Sequence, residues 1–374
     1  MSQYIHQLSD WPHFRWDQEA LSTPLAEVRL RQGRLIGRME SLGFSQRDEA
    51  VLQTLTDDVV KSSEIEGEIL NSDQVRSSIA RRLGMDIAGL LSSDRRVDGV
   101  VQMILEATQN FAQPLTKERL CGWHTALFPD RSSNIRVGAW RDDAKGSMQV
   151  VSGAIGRERV HYEAPAANRL ESELAAFLDW ANRTGEIDPV LRAAKAHLWF
   201  VTIHPFDDGN GRIARAIADW ALARSENSSR RYYSMSAQVR RDRKKYYNAL
   251  ELAQKGTLDI TNWMQWFLGC LTRAIAGTEA SLATVFLKDR FWKTHVHLAF
   301  NERQRLMLNK LLDRTFEGKL TSTHWAKLAK CSQDTAHRDI VELMKHDILS
   351  RDTAGGRSTS YSLAMGDGYL NFST

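Results

Sequence analysis

Between Val190 and Ile203 the chain is almost wholly apolar, and a helix of that composition is buried on most of its faces. Around this segment helical periodicity dominates and strand-like alternation is scarce. Leu21, Leu25, Val28, Leu35 and Leu42 recur at helical spacing among Arg and Glu, which predicts an amphipathic surface helix over 17–42. Val51, Leu52, Leu55, Val59 and Val60 extend the pattern over 47–65, and Gly67 reads as its stop. Further helices are expected near 73–83, 94–112, 116–128, 168–183, 212–225, 240–256 and 259–285. One window departs from the rule. Residues 136–162 hold Val137, Trp140, Met148, Val150, Val151, Ile155, Val160 and Tyr162, punctuated by Gly138, Gly146, Gly153 and Gly156. Short β-rich runs bounded by glycine read as a hairpin, and with little sheet to join it projects as a flap.

A length of 374 residues predicts two or three domains at about 100–200 residues each. Lys and Arg total 50 against 46 Asp and Glu, a net charge of +4, so wholesale charge attraction to nucleic acid or membrane is not indicated. Cys121, Cys270 and Cys331 stand far apart and form no CxxC pair, which favours reduced thiols over a disulfide framework or zinc ribbon. No basic-then-apolar leader opens the chain, and no run reaches the ~18 apolar residues of a membrane span. A cytoplasmic protein without membrane partners is the expectation.

The densest chemistry follows the apolar helix directly: His204-Pro205-Phe206-Asp207-Asp208-Gly209-Asn210-Gly211-Arg212-Ile213-Ala214-Arg215. Pro205 disfavours helix at the residue before it. Gly209 and Gly211 permit a close backbone approach, and their amides at the start of the next helix form an anion-binding concavity. Arg212 and Arg215, three apart, share a helix face and suit phosphate oxygens. Asp208 is a hard oxygen donor for Mg²⁺, and His204 is a base near neutrality. Taken singly, each residue fits a glycine turn between helices; together they are what phosphoryl chemistry needs.

These residues match, at every specified position, the motif His-x-Phe-x-(Asp/Glu)-Gly-Asn-Gly-Arg-x-x-Arg of the Fic (filamentation induced by cAMP) family, which the chain resembles. The buried helix and the hairpin lie where Fic domains have them, and residues 1–85 look like the N-terminal region of one branch of that family. The resemblance implies a Fic helical core and transfer of AMP from ATP to a Ser, Thr or Tyr hydroxyl of target proteins and of the protein itself. It implies that His204 deprotonates the hydroxyl and that Asp208 holds Mg²⁺ between the α- and β-phosphates. Gly209, Asn210 and Gly211 would cradle the phosphates, Arg212 and Arg215 would meet the β- and γ-phosphates, and Phe206 would anchor the loop. Tyr246 to Gln254 is similar to the Fic adenine-side segment, with Tyr247 lining the base and Gln254 where many relatives have Asn; two tyrosines packed on a helix account for Tyr246 and Tyr247 equally well.

Ser62-x-x-x-Glu66-Gly67 resembles the Fic inhibitory motif, placed as in the class with an N-terminal inhibitory helix. The implied role is electrostatic: Glu66 pairs with Arg215 and denies it to ATP. Removal of AMP, with Glu66 positioning water, is the alternative inside the same site.

From 301 onward the pattern reads helix near 301–315, helix near 322–330, helix at 332–346, then strands at Ile348-Leu349 and Tyr361 to Leu363 around a turn at 353–358. It looks like a winged helix-turn-helix with 332–346 in the recognition position, Gln333, His337 and Arg338 toward a groove and Arg357 on the wing. DNA binding, homodimer formation and docking on the core all remain open for it, and a DNA-binding regulator with a nucleotide-sensing core is the rival function. The basic run Arg240, Arg241, Arg243, Lys244 and Lys245 is explained as well by a solvated helix face as by a nucleic-acid patch. The expectation is a mainly α protein in three parts: a regulatory helical region over 1–85, a Fic core over 86–294 and a winged-helix domain over 295–374.

Overall fold

The computed structural model describes residues 4–364 except 86–89, 131–134, 145, 154–156, 158, 184, 186, 313–318 and 353–358, and except the side chains of Ser45 and Thr284. It is mainly helical, with 65% of the described residues in helix. The chain divides into two compact units, Met1–Ala280 and Ser281–Thr374.

The first unit carries α1 (Gln18–Glu40), α2 (Phe44–Ile65), α3 (Ser72–Arg82), α4 (Arg95–Gln109) and α5 (Lys117–Leu127), then strands β1 (Gln149–Ser152) and β2 (Arg159–Glu163). It continues through α6 (Leu170–Asn182), α7 (Pro189–Ile203), α8 (Asn210–Glu226), α9 (Met235–Arg241), α10 (Arg243–Lys255) and α11 (Thr261–Ser281). As the apolar run requires, α7 is the central helix, buried at every residue from Ala193 to Ile203. It starts on Pro189, whose fixed φ suits a first turn, with Asp188 accepting from the Val190 amide. Its main partner is α8, buried from Ile213 to Ala223. Alanines at 193, 194, 196, 214, 216, 218, 221 and 223 let the two helices approach closely.

Helix α2 is no surface appendage. Leu52, Leu55, Val59 and Ile65 are at most 1% exposed, and it packs on α3, α4, α8 and α9. Asp58 fixes it further, accepting from the Ser234 hydroxyl and the Ser236 amide (3.2 Å). The helix ends at Ile65 with Glu66 as its C-cap and Gly67 at φ +90°, the left-handed stop expected of glycine.

Three sequence expectations change. The helix expected over 240–256 is α10, which starts only at Arg243, because Arg240 and Arg241 end a separate short helix, α9. The two helices meet at Asp242, whose carboxylate accepts from Gln238 Nε2 (2.7 Å) and from the Arg273 guanidinium (2.9 Å), holding a corner instead of a continuous turn. The hairpin is shorter than the 136–162 window. Its strands pair Val150 with Tyr162 and Val151 with Val160 across an irregularity, whereas Val137 and Trp140 belong to a loop backing the 204–209 turn. There the Gly138 amide donates to His124 Nδ1 at 2.9 Å, and Trp140 packs 4.9 Å from Phe206. Ile155 and Gly156 lie outside the described residues. Lastly, the second unit begins with a helix, α12 (Ala283–Thr294), which lies before the domain line expected at 294/295. The units separate at 280/281, where the sequence reading drew its line at 294/295.

The second unit adds α13 (Glu302–Leu312), α14 (Ser322–Leu328), α15 (Gln333–Lys345), β3 (Leu349–Arg351) and β4 (Tyr361–Leu363). Leu287 and Phe291 of α12 join Met307, Leu308, Trp325, Ile340 and Leu343 in its core, which is why α12 belongs to it. The two strands pair antiparallel, Leu349 opposite Leu363, and Leu320 bridges to Tyr361. Gln333, His337 and Arg338 are exposed along α15. Arg357 and its turn lie outside the described residues.

Candidate active site

His204 ends α7 in left-handed backbone geometry (φ 52°, ψ 58°), which turns the chain sharply into the glycine loop. Its Nδ1 lies 3.1 Å from the Val201 carbonyl. A carbonyl only accepts, so Nδ1 carries the proton and Nε2 presents a lone pair. Phe206 is fully buried and stacks on the His124 ring at 4.1 Å. Asn210 closes the loop from within: its Oδ1 accepts from the Phe206 amide (3.0 Å) and its Nδ2 donates to the Phe206 carbonyl (2.7 Å). Gly209 caps α8 at φ +78°, the region that favours glycine, and a Cβ there would stand 3.1 Å from the Phe128 ring.

Arg141, which no motif marks, is the outer clamp of this loop. Its Nε donates to the His204 carbonyl (2.8 Å), its NH2 to the Pro165 carbonyl (2.5 Å), its NH1 pairs with Asp143 (2.9 Å), and its own amide donates to the Pro205 carbonyl (2.9 Å). Burial pushes the His204 imidazole down to about 4, with the nearby Arg141 charge adding in the same direction. The sign is favourable for a base, because the neutral form persists well below ordinary histidine titration. The acid limb of kcat/KM against pH is therefore expected below pH 6.5; a limb at or above that value would mean that another group is being titrated.

His204 and the loop open into a cavity of about 840 Å³ whose lining also includes Glu66, Tyr247, Gln254 and strand β1. Glu66 reaches into it from the end of α2. Its Oε1 accepts from Arg215 NH1 (2.8 Å), and its Oε2 accepts from the Tyr247 hydroxyl (3.2 Å). The rest of the Arg215 guanidinium is held by Ser62: Nε donates to the hydroxyl (3.0 Å) and NH2 to the carbonyl (2.9 Å). A Cβ built on Gly211 would stand 2.4 Å from Glu66 Oε1, so the carboxylate lies directly over the first turn of α8. That turn offers amides without intrahelical acceptors and the positive end of the helix. Burial alone would raise the Glu66 carboxyl, but Arg215, then Arg212 and Tyr247, outweigh it and hold it below its usual range.

Arg212 is likewise engaged, its NH1 donating to Glu68 Oε2 (2.7 Å) while its guanidinium lies 5.2 Å from the Phe128 ring. Glu68 escaped the sequence reading because it lies just past the motif-like stretch. Arg243 escaped it too, having looked like one of a solvated run: its Nε donates to the Ile65 carbonyl (2.8 Å) at the end of α2, and it stacks over Tyr247. Gln254 is buried, with Nε2 turned to the Val201 carbonyl (3.5 Å) and the Thr202 hydroxyl (3.4 Å). It shares an acceptor with His204 and so supports the end of α7. The Asp208 side chain is exposed, one carboxylate oxygen accepting from the Gly209 amide (2.5 Å). An exposed carboxylate beside an anion cradle fits a hard divalent cation that takes its remaining ligands from phosphate and water.

The 204–215 loop of this arrangement falls inside one recognised stretch, and Glu66 in another. Residues 114–222 match the Fic/DOC family. The Fic/DOC stretch takes in α5, the hairpin, α7, the whole 204–215 loop and most of α8. Residues 4–85, which carry α2 and Glu66, match a separate domain of unknown function, DUF4172. Among curated relatives, a protein adenylyltransferase Fic of Drosophila willistoni is 33% identical over 113 residues, 30% of this chain and 21% of that protein. A uridine 5'-monophosphate transferase of Xanthomonas campestris is 26% identical over 165 residues, 41% of this chain and 30% of that one. The chain thus spans less than a third of the length of these relatives. Among solved structures, a Fic family protein from Desulfovibrio desulfuricans G20 superposes with a TM-score of 0.54 at 22% identity, covering 93% of this chain and 97% of that one. A Fic domain containing signaling protein from Bacteroides thetaiotaomicron gives 0.50 at 19%, covering 68% and 96%. At those identities the likeness is one of fold.

Proposed function

We propose that this protein transfers AMP from ATP to a hydroxyl side chain of a protein, and that Glu66 restrains the transfer. The observation that carries the reading is the Glu66 carboxylate lying over Gly211 and bonded to Arg215, an anion seated where a nucleotide phosphate would sit. In the working state ATP displaces it. The α8 amides and Arg212 and Arg215 then bind the phosphates, with Arg212 leaving Glu68 and Arg215 leaving Glu66. Mg²⁺ would be held through Asp208 and would neutralise phosphate charge. His204 Nε2 accepts the proton of the incoming hydroxyl, while the Val201 carbonyl keeps Nδ1 protonated and the ring in register. In-line transfer of this kind depends chiefly on positioning and charge neutralisation.

Acceptor proteins would dock on the hairpin. It is a two-stranded sheet with Val151 49% exposed and Val160 38% exposed, so an extended segment can add along its free edge. Proline at Val151 is expected to reduce modification of a protein acceptor severalfold while ATP binding persists; parallel loss of both would mark the hairpin as needed only for folding.

The deciding experiment incubates the purified chain, wild type and Glu66→Gly, with a cell lysate and either ATP or UTP labelled at the α-phosphate. Protein-bound label from ATP supports the reading. Label from UTP alone would reassign the nucleotide, and DNA retention without any label transfer would favour the regulator.

A further inference from the structure

The cavity is also lined by a hydroxyl–imidazole–carboxylate relay that does not involve His204. On β1 the Ser152 Oγ lies 2.5 Å from Nε2 of His161 on β2, and His161 Nδ1 lies 2.7 Å from Oε2 of Glu251 on α10. Antiparallel pairing sets Ser152 opposite Arg159, and strand alternation puts Arg159 and His161 on the same face, so all three turn toward α10. The carboxylate acts as acceptor to Nδ1–H, which leaves Nε2 to accept from the serine hydroxyl. Glu251 is suited to this: Lys255 (2.7 Å) and Arg159 (2.9 Å) both bind its Oε1, leaving Oε2 to the imidazole. Lys255, with His161 and Arg159, holds its carboxyl down at about 2, so it stays ionised. Nucleophile to base and base to orienting carboxylate are both at hydrogen-bond distance. Ser152, His161 and Glu251 line the same cavity as His204 and the Gly209–Gly211 turn.

We propose that Ser152 is an internal acceptor: the protein modifies its own hairpin at this hydroxyl. The inference rests on the proposed nucleotidyl transfer, which supplies the electrophile, the α-phosphate of a nucleoside triphosphate bound in that cavity. Ser152 Oγ forms a bond to the α-phosphorus as the bond from that phosphorus to the bridging oxygen of the β-phosphate breaks. Pyrophosphate leaves with the electron pair, and the hydroxyl proton passes to His161 Nε2. The product is a serine phosphodiester at the end of β1, where its bulk and negative charge obstruct the edge on which an acceptor protein would lie. Self-modification at this site then lowers transfer to other proteins.

The test uses the full chain in the Glu66→Gly form with ATP labelled at the α-phosphate, with and without lysate, followed by peptide mass spectrometry. Label on Ser152 is expected, appearing at a rate constant independent of protein concentration because the hydroxyl and the nucleotide share one cavity. Ser152→Ala removes that label, Ser152→Thr retains it, and His161→Gln slows it by about 10²-fold, as loss of a general base does. Lysate proteins labelled while Ser152 stays unmodified would overturn the internal acceptor and leave the proposed function standing. Labelling of Ser152 that accelerates with protein concentration would overturn transfer within one molecule. No label on any protein, this chain included, would overturn both.

Discussion

His204→Ala is expected to lower AMP transfer by about 10²–10⁴-fold, the range a general base contributes, while ATP binding changes little. The imidazole hydrogen-bonds through Nδ1 to Val201, and the loop is held by other groups: Arg141 on the His204 carbonyl, Asn210 on the Phe206 backbone and Phe206 in the core. Removing the ring is therefore expected to leave the 204–211 turn in place. Single-turnover transfer measured beside calorimetric ATP titration separates the two effects. Transfer by the variant at near wild-type rate would show that the proton goes elsewhere.

Glu66→Gly is expected to raise transfer roughly 10- to 100-fold, the equivalent of a charge-assisted hydrogen bond worth about 1.5–3 kcal/mol. The Arg215 side chain is only 3% exposed and that of Glu66 30%, so the pair is partly shielded from water and competes well with an incoming phosphate. Arg215→Ala should lower transfer in either background, because the gain from removing Glu66 consists of freeing this guanidinium. The four proteins of the cycle are thus non-additive. Auto-modification rates and ATP affinities of all four decide it; unchanged activity in a folded Glu66→Gly protein would reduce the segment from Ser62 to Gly67 to a helix end.

The helical architecture was legible because its signal is periodic. The apolar run over Val190–Ile203 emerged as the buried α7, and the stripe of Leu21, Val28 and Leu35 is wholly buried along α1. The residues of the 204–215 loop were legible because they are contiguous. What the sequence hid is long-range. Arg141 acts on His204 from 63 positions away, Arg243 reaches Ile65 across 178, and the serine–histidine–glutamate relay joins three elements no spacing rule connects. Boundaries failed where a single polar group decides them. Asp242 sets the corner at which α10 starts by accepting from two partners, and periodicity carries no trace of such a corner.

Helix α2 is sewn into the core by Asp58 and by its fully buried Leu52 and Val59, so shifting it would cost that packing. Glu66 stands one residue past its last turn, so what moves is the carboxylate arm. The restraint proposed for Glu66 would then be a rotamer equilibrium, with no latch that catches or springs. An arm held by about 1.5–3 kcal/mol would swing free for roughly 0.6–7% of the time. On the proposed function the resting protein would keep a small steady output, set by a ratio of side-chain populations, and nucleotide concentration would tune it smoothly where a helix-sized switch would give a threshold.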